Sequence, residues 1–92
     1  MRLARNPAVT ETLLDDEVFL VEPHNDEVFY LNAISSGLWR LLAEPLNLAD
    51  LQAAYRDAFP GTDGNVVDRD VAIAVDDMRE RGLIVPFDHA RD

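Results

Sequence analysis

The 92-residue sequence contains no cysteine, so it can form neither a disulfide framework nor a thiolate metal site. It also contains no lysine: its eight basic residues are all arginine, and eighteen Asp and Glu residues set the formal net charge at −10. A phosphate backbone binds clustered Lys and Arg, so this charge argues against DNA, RNA and anionic membranes as partners. A basic or neutral peptide or protein is favoured instead.

Long apolar runs are missing as well. No run approaches the ~20 residues that cross a bilayer, and the N-terminal MRLARNPAV has no apolar core of a secretory signal. We therefore expect a cytoplasmic protein. The length and the 48% hydrophobic content fit one domain over residues 1–92, with a core at about 9–85, a loose N-terminal arm over residues 1–8 and a C-terminal tail.

Patterns that carry chemistry are also absent. His24 and His89 fall in a turn and a tail, without a second ligand at metal-binding spacing. Ser35 and Ser36 lie in the first turn of a predicted helix, where capping explains them better than nucleophilic catalysis does. No glycine-rich loop precedes a basic residue as in a phosphate-binding loop. We expect no metal, no cofactor and no enzymatic activity.

The first third of the sequence has the alternation of short strands. We predict strands over residues 9–14, 18–21 and 27–31. A turn at Asp15-Asp16 separates the first two, and a hairpin turn at His24-Asn25-Asp26 joins the last two. The third strand is a candidate sheet edge, and it is apolar on both faces, which suggests that something covers its second face.

The remainder of the sequence has helical periodicity. We predict helices over residues 34–42, 48–59 and 66–81. Asn32 is placed to cap the first helix, and Asn47 with Asp50 forms a capping box for the second. Gly82 ends the third helix. Three strands followed by three helices is an α+β fold of the winged helix-turn-helix type, with one three-stranded antiparallel sheet.

The third helix carries two apolar stripes. Val71, Val75 and Met78 lie on one narrow arc and are predicted core positions. Val66 and Ile73 lie on another side of the helix, and this second stripe is either ordinary exposed apolar surface or one wall of a peptide groove.

Three segments together resemble the PqqD-like proteins, also described as RiPP recognition elements. The segments are VFLVEPHNDEVFYLN (18–32), AISSGLWRLL (33–42) and DVAIAVDDMRERGLI (70–84). The matching positions are Leu31-Asn32, Leu38-Trp39, and Met78 four residues before Gly82-Leu83. The resemblance spans about residues 9–85, with a weak match in the first strand, a long loop at 60–65, and Met78 where an aliphatic residue is usual.

The resemblance implies a non-catalytic protein that binds the leader of a ribosomally made precursor peptide. In that family the leader adds as a strand to the edge of the third strand, beside the third helix, and is presented to a modifying enzyme or a leader peptidase. The implied peptide-binding residues are Glu27, Val28, Phe29, Tyr30 and Leu31 on the strand, and Val66, Asp70, Ile73 and Asp77 on the helix. The acidic residues among them would favour a leader with a nearby Lys or Arg. Sheet packing alone is an equally simple explanation of Val28 and Tyr30.

Two alternatives stay open. A winged-helix DNA-binding protein would need a basic third helix, whereas this one is rich in aspartate. A dimerising regulatory domain is the second alternative, because an open edge strand invites pairing with a second copy as a homodimer.

Overall fold

The computed structural model describes residues 1–15, 17–24 and 26–87, and within them the chain forms six strands and three helices. The elements are β1 (Arg2–Arg5), β2 (Thr10–Leu14), β3 (Glu17–Glu22), β4 (Glu27–Tyr30), α1 (Ala33–Leu41), β5 (Leu46–Asn47), α2 (Leu48–Ala58), α3 (Gly64–Glu80) and β6 (Ile84–Phe87). The fold is α+β, as predicted, and is compatible with a winged-helix description. Asp16, Asn25 and His89, predicted in turns and a tail, lie outside the described residues.

The three predicted strands form one antiparallel sheet in the order β2-β3-β4. The central strand β3 buries Val18 and Leu20 completely against the helices. Leu20 pairs with Glu11 on one side and with Phe29 on the other. β2 and β4 are therefore the edge strands, which confirms the prediction for the third predicted strand.

A second sheet, in the order β5-β1-β6, was not predicted. The prediction of a loose N-terminal arm is wrong, because Arg2–Arg5 form β1 and Leu3 is buried in the core. Pro86 pairs with Leu3 inside β6. β6 is an edge strand, where a proline's missing amide is tolerated. β1 is only four residues long, and its partner β6 lies about 80 residues further along the chain. Such a short strand has too little alternation to be predicted from the sequence.

Arg5 connects this second sheet to α1 and to β2. Its guanidinium lies over the Trp39 ring at 4.7 Å, and its Nε donates to the Trp39 carbonyl at 2.9 Å. Trp39 Nε1 donates in turn to Glu11 Oε1 at 3.0 Å. The buried indole thus has its hydrogen-bond partner, as buried tryptophans usually do.

The helix starts follow the capping predictions. Asn32 Oδ1 accepts from the Ser35 amide at 2.8 Å, and Asn47 with Asp50 forms the complete capping box of α2. α3 begins two residues earlier than predicted because Asp63 caps it. Gly82 follows α3 with φ +73°, a conformation that favours glycine, so the predicted stop is confirmed.

The core lies between the two sheets and the three helices. Its buried residues are Leu3, Val18, Leu20, Leu38, Trp39, Leu42, Leu51, Tyr55, Val67, Val71, Val75, Met78, Leu83 and Ile84. Val71, Val75 and Met78, the predicted core positions of α3, are among them. No helix in the described part of the chain is both long and apolar enough to cross a membrane.

Tyr55 joins α2 to α1 beside Gly37, whose missing side chain leaves room for the Tyr55 hydroxyl. Its hydroxyl donates to the Ile34 carbonyl at 2.6 Å. Burial raises the pKa of Tyr55 above its ordinary value of 10.0, with a smaller opposing effect from the Leu38 backbone, so the phenol remains a donor at neutral pH. A Cβ on Gly37 would fall well inside van der Waals contact with this hydroxyl.

We expect Gly37→Ala to lower the free energy of unfolding by about 1–2 kcal/mol, because overpacking outweighs the ~1 kcal/mol gain in helix propensity. Urea denaturation followed by circular dichroism measures the change. Gly61→Ala is the matched control, since nothing lies within 4 Å of its Cβ position. Adding Tyr55→Phe should partly rescue Gly37→Ala, and an absence of rescue would contradict the proposed clash.

Candidate functional site

One edge of β4 is hydrogen-bonded to β3, and the other edge is open. The Leu31 amide donates to the Val18 carbonyl at 3.3 Å, in register with the Phe19–Tyr30 and Leu20–Phe29 pairs. Bonded and non-bonded pairs alternate in an antiparallel ladder, so the Val28 and Tyr30 amides and carbonyls point away from β3. No strand among the described residues pairs with that side of β4.

The side chains of β4 divide between two faces of the sheet. Phe29 and Leu31 pack against the core. Val28 and Tyr30 project from the opposite face, and Tyr30 is 74% exposed. The Tyr30 ring meets the Phe19 ring edge-on with centroids 4.7 Å apart. The strand therefore presents apolar side chains on both faces, as the sequence predicted.

A cleft of about 310 Å³ lies beside the open edge of β4, between the strand and α3. Phe29 and Leu31 line it from the strand, and Asp77, Met78 and Arg81 line it from the helix and the residue that follows. It adjoins a second cleft of about 340 Å³, because both are lined by Asn32, Ser35 and Asp77. Ile34, Asp70, Ile73 and Ala74 complete the second cleft. We call the two clefts together the β4–α3 groove.

The structure brings most of the predicted site residues to this groove. Val28, Phe29, Tyr30 and Leu31 line its first cleft, Asp70 and Ile73 line the second, and Asp77 lines both. Ile73 is 60% exposed. Glu27 and Val66 do not line the groove in the described part of the chain. Val66 lies two helical turns before Ile73, about 10 Å along the helix axis.

Arg81 is a groove residue that the sequence analysis missed. Its Nε lies 2.9 Å from Asp77 Oδ2, and its guanidinium lies 5.5 Å from the centre of the Phe29 ring. The i,i+4 spacing from Asp77 was visible in the sequence, but the contact with Phe29 depends on the packing of α3 against β4. Asn32 and Ser35 were also missed, because helix capping accounts for both without reference to the groove.

The groove is less negative than its aspartates suggested. Asp77 is paired with Arg81, and Asp70 lies 3.6 Å from Arg69. Exposed pairs of this kind contribute little to stability, but they reduce the field that a peptide meets. The surface of α3 also exposes Asp76 and Glu80, so no observation in the described structure favours the DNA-binding alternative. Within the same residues, no group of three or more His, Asp or Glu side chains could hold a metal ion.

These features define a class: a small α+β protein with one strand edge left open beside a helix-lined groove. The chain belongs to the family Coenzyme PQQ synthesis protein D (PqqD), which matches residues 17–84. The matched part begins with β3 and ends at the first residue of β6, so it contains the whole β4–α3 groove. A search of curated protein sequences found no match.

Two solved structures resemble the chain along almost its whole length. TbiB1 in complex with the TbiA(beta) leader peptide is 25% identical, with a TM-score of 0.79 over 92% of this chain and 98% of that chain. Lasso peptide synthetase B1 complexed with the leader peptide is 20% identical, with a TM-score of 0.72 over 91% of this chain and 98% of that chain. The second likeness concerns the fold alone.

The open edge can be tested without a ligand by amide hydrogen exchange. We expect the Val28 and Tyr30 amides to exchange faster than those of Phe29 and Leu31, because only the latter two donate to β3. Two-dimensional NMR in deuterated buffer resolves the four amides. Equal protection of all four would show that another segment or a second copy pairs with this edge.

Proposed function

We propose that this protein binds the leader region of a ribosomally synthesised precursor peptide as an added strand on β4. It then presents the peptide to a modifying enzyme or a leader peptidase. The observation that carries the proposal is the open Val28–Tyr30 backbone edge beside the β4–α3 groove. Membership of the PqqD family and the likeness to TbiB1 in its leader-peptide complex support it.

The backbone of β4 supplies only part of the binding free energy. Val28 and Tyr30 together offer four hydrogen-bonding groups, and at about 1 kcal/mol net each they contribute about 4 kcal/mol. Ordering a flexible peptide costs about 2–5 kcal/mol, so strand pairing alone does little more than offset that cost. Affinity must therefore come from peptide side chains buried in the groove.

The groove is suited to that task. A peptide strand beside β4 alternates its side chains between the two sheet faces. Those on the inner face enter the cleft next to Phe29, Leu31 and Met78. Burying one aliphatic side chain there contributes about 1.5–3 kcal/mol. Three such residues at the upper end of that range contribute about 9 kcal/mol, which is enough for micromolar affinity. Strand pairing fixes the register, and the clefts select the sequence.

The peptide-binding set in this proposal comprises Val28, Phe29, Tyr30, Leu31, Asp70, Ile73 and Asp77, with Arg81 added and with Glu27 and Val66 at the periphery. The protein itself performs no chemistry in this role. Holding the precursor while contacting the partner enzyme raises the effective concentration of one for the other.

Val28→Pro tests the strand addition directly. Proline removes the outward-pointing amide of residue 28 and puts a ring where the peptide backbone would lie, yet the substitution breaks no hydrogen bond to β3. We expect affinity for the precursor leader to fall more than tenfold, measured by fluorescence anisotropy of a labelled peptide. Val28→Ala keeps the amide and should bind within threefold of the unsubstituted protein. Equal affinity of Val28→Pro and Val28→Ala would exclude strand addition at this edge.

Tyr30→Asp and Ile73→Asp test the side chains of the site in the same assay. Both positions are well exposed, so we expect stability to change little while leader affinity falls at least tenfold, because a carboxylate would be desolvated beside the bound peptide. Leu13→Asp is the matched control, since Leu13 is 61% exposed and lies on β2. A leader that binds all three variants like the unsubstituted protein would remove these residues from the site.

A further inference from the structure

The outer face of the β2-β3-β4 sheet carries an apolar patch on β3 and β4, and no described element covers it. The register aligns Thr10, Val21 and Val28 in one row across the three strands, and Thr12, Phe19 and Tyr30 in the next. Leu14 lies beyond them, paired with Glu17. We call these eight residues the outer sheet face. The opposite face packs Val18, Leu20 and Phe29 on the core, so β3 and β4 have two apolar faces.

Exposure along the outer sheet face is high for side chains of this kind. Leu14 is 59% exposed, Val28 is 50% exposed and Tyr30 is exposed further still. Phe19 and Val21 are only partly buried. A wet sheet face normally carries polar side chains, and β2 does so at Thr10 and Thr12. The side chains of β3 and β4 on this face instead form a contiguous apolar patch, Phe19, Val21, Val28 and Tyr30, which indicates contact with another molecule.

The charge around this face indicates what kind of molecule fits it. Residues 6–39 contain the whole sheet, seven Asp or Glu residues and no Lys or Arg. Glu17 lies on the face itself, and Asp15 and Asp26 lie at the described turns on either side of β3. A second copy of the chain would bring the same negative charge against it, at −10 for each copy. A partner whose apolar patch is bordered by Lys and Arg has the complementary charge.

We propose that the outer sheet face is the docking surface for the enzyme that acts on the precursor, through an apolar patch bordered by basic residues. This inference rests on the proposed function. It places the enzyme over the outer side chains of β4 and of the strand added beside it. The leader's backbone and its inner side chains would bind this protein, and the enzyme would cover the other side of the same strand pair.

Thr12→Arg tests the surface, because residue 12 lies next to Phe19 on the outer sheet face and away from the open edge of β4. The probe is the purified enzyme that acts on the precursor, titrated by calorimetry. We expect enzyme affinity to fall at least tenfold, since an added cation would face a basic patch, while leader affinity stays within twofold. Leu14→Arg, on the same face, should behave alike and covers the case in which Thr12→Arg fails to fold.

Leu13→Arg is the matched control, because it adds the same charge to the same strand on the opposite face. It should leave enzyme affinity unchanged. Equal losses in Thr12→Arg and Leu13→Arg would overturn the assignment of the face. Sedimentation equilibrium addresses a second copy as the occupant: a dimer that Thr12→Arg dissociates would also overturn it. Loss of leader binding by the unsubstituted protein would instead refute the proposed function, so the two failures are distinguishable.

Discussion

The structure depends on the direct passage from β4 into α1 at Leu31 and Asn32. The Leu31 amide donates to the Val18 carbonyl, and the Leu31 carbonyl accepts from Ser36 Oγ at 3.2 Å. Asn32 caps the helix. Because no loop separates strand from helix, the burial of Leu38 and Trp39 also fixes the position of β4. One edge of the strand is thereby held against β3, and the other is left open beside the β4–α3 groove.

Rigidity at that junction matters for a protein that recognises an extended peptide. An added strand needs a template whose amides and carbonyls already have the right spacing. Any ordering of the template on binding would reduce the small net free energy of strand pairing further. The core beneath Phe29 and Leu31 supplies this preorganisation. Arg81 contributes from the other wall by contacting Phe29 and Asp77 together. The inner side chains of β4 are thus packed against the core before a ligand arrives.

An open edge and an apolar outer face are hazards for a protein of this size, because both invite self-association. The high negative charge opposes self-association. Residues 6–39, which contain the β2-β3-β4 sheet, have no Arg and seven Asp or Glu, so much of that charge lies near the exposed apolar residues. The absence of lysine and the abundance of carboxylates are consequently compatible with a surface that stays available to a peptide and to a basic partner. Composition, charge and exposed surface are consistent with one another in this respect.

Local physics allowed the sequence by itself to determine the three helices with their caps, the three central strands, the inner stripe of α3 and the family. Capping and periodicity act over a few residues, so they can be read without a partner. Only the tertiary structure decided that residues 2–5 form a strand, that Arg81 reaches Phe29, and that Val66 lies off the groove while Asp70, Ile73 and Asp77 lie on it. Each of these depends on contacts between residues far apart in the chain, and a linear pattern carries no record of such contacts.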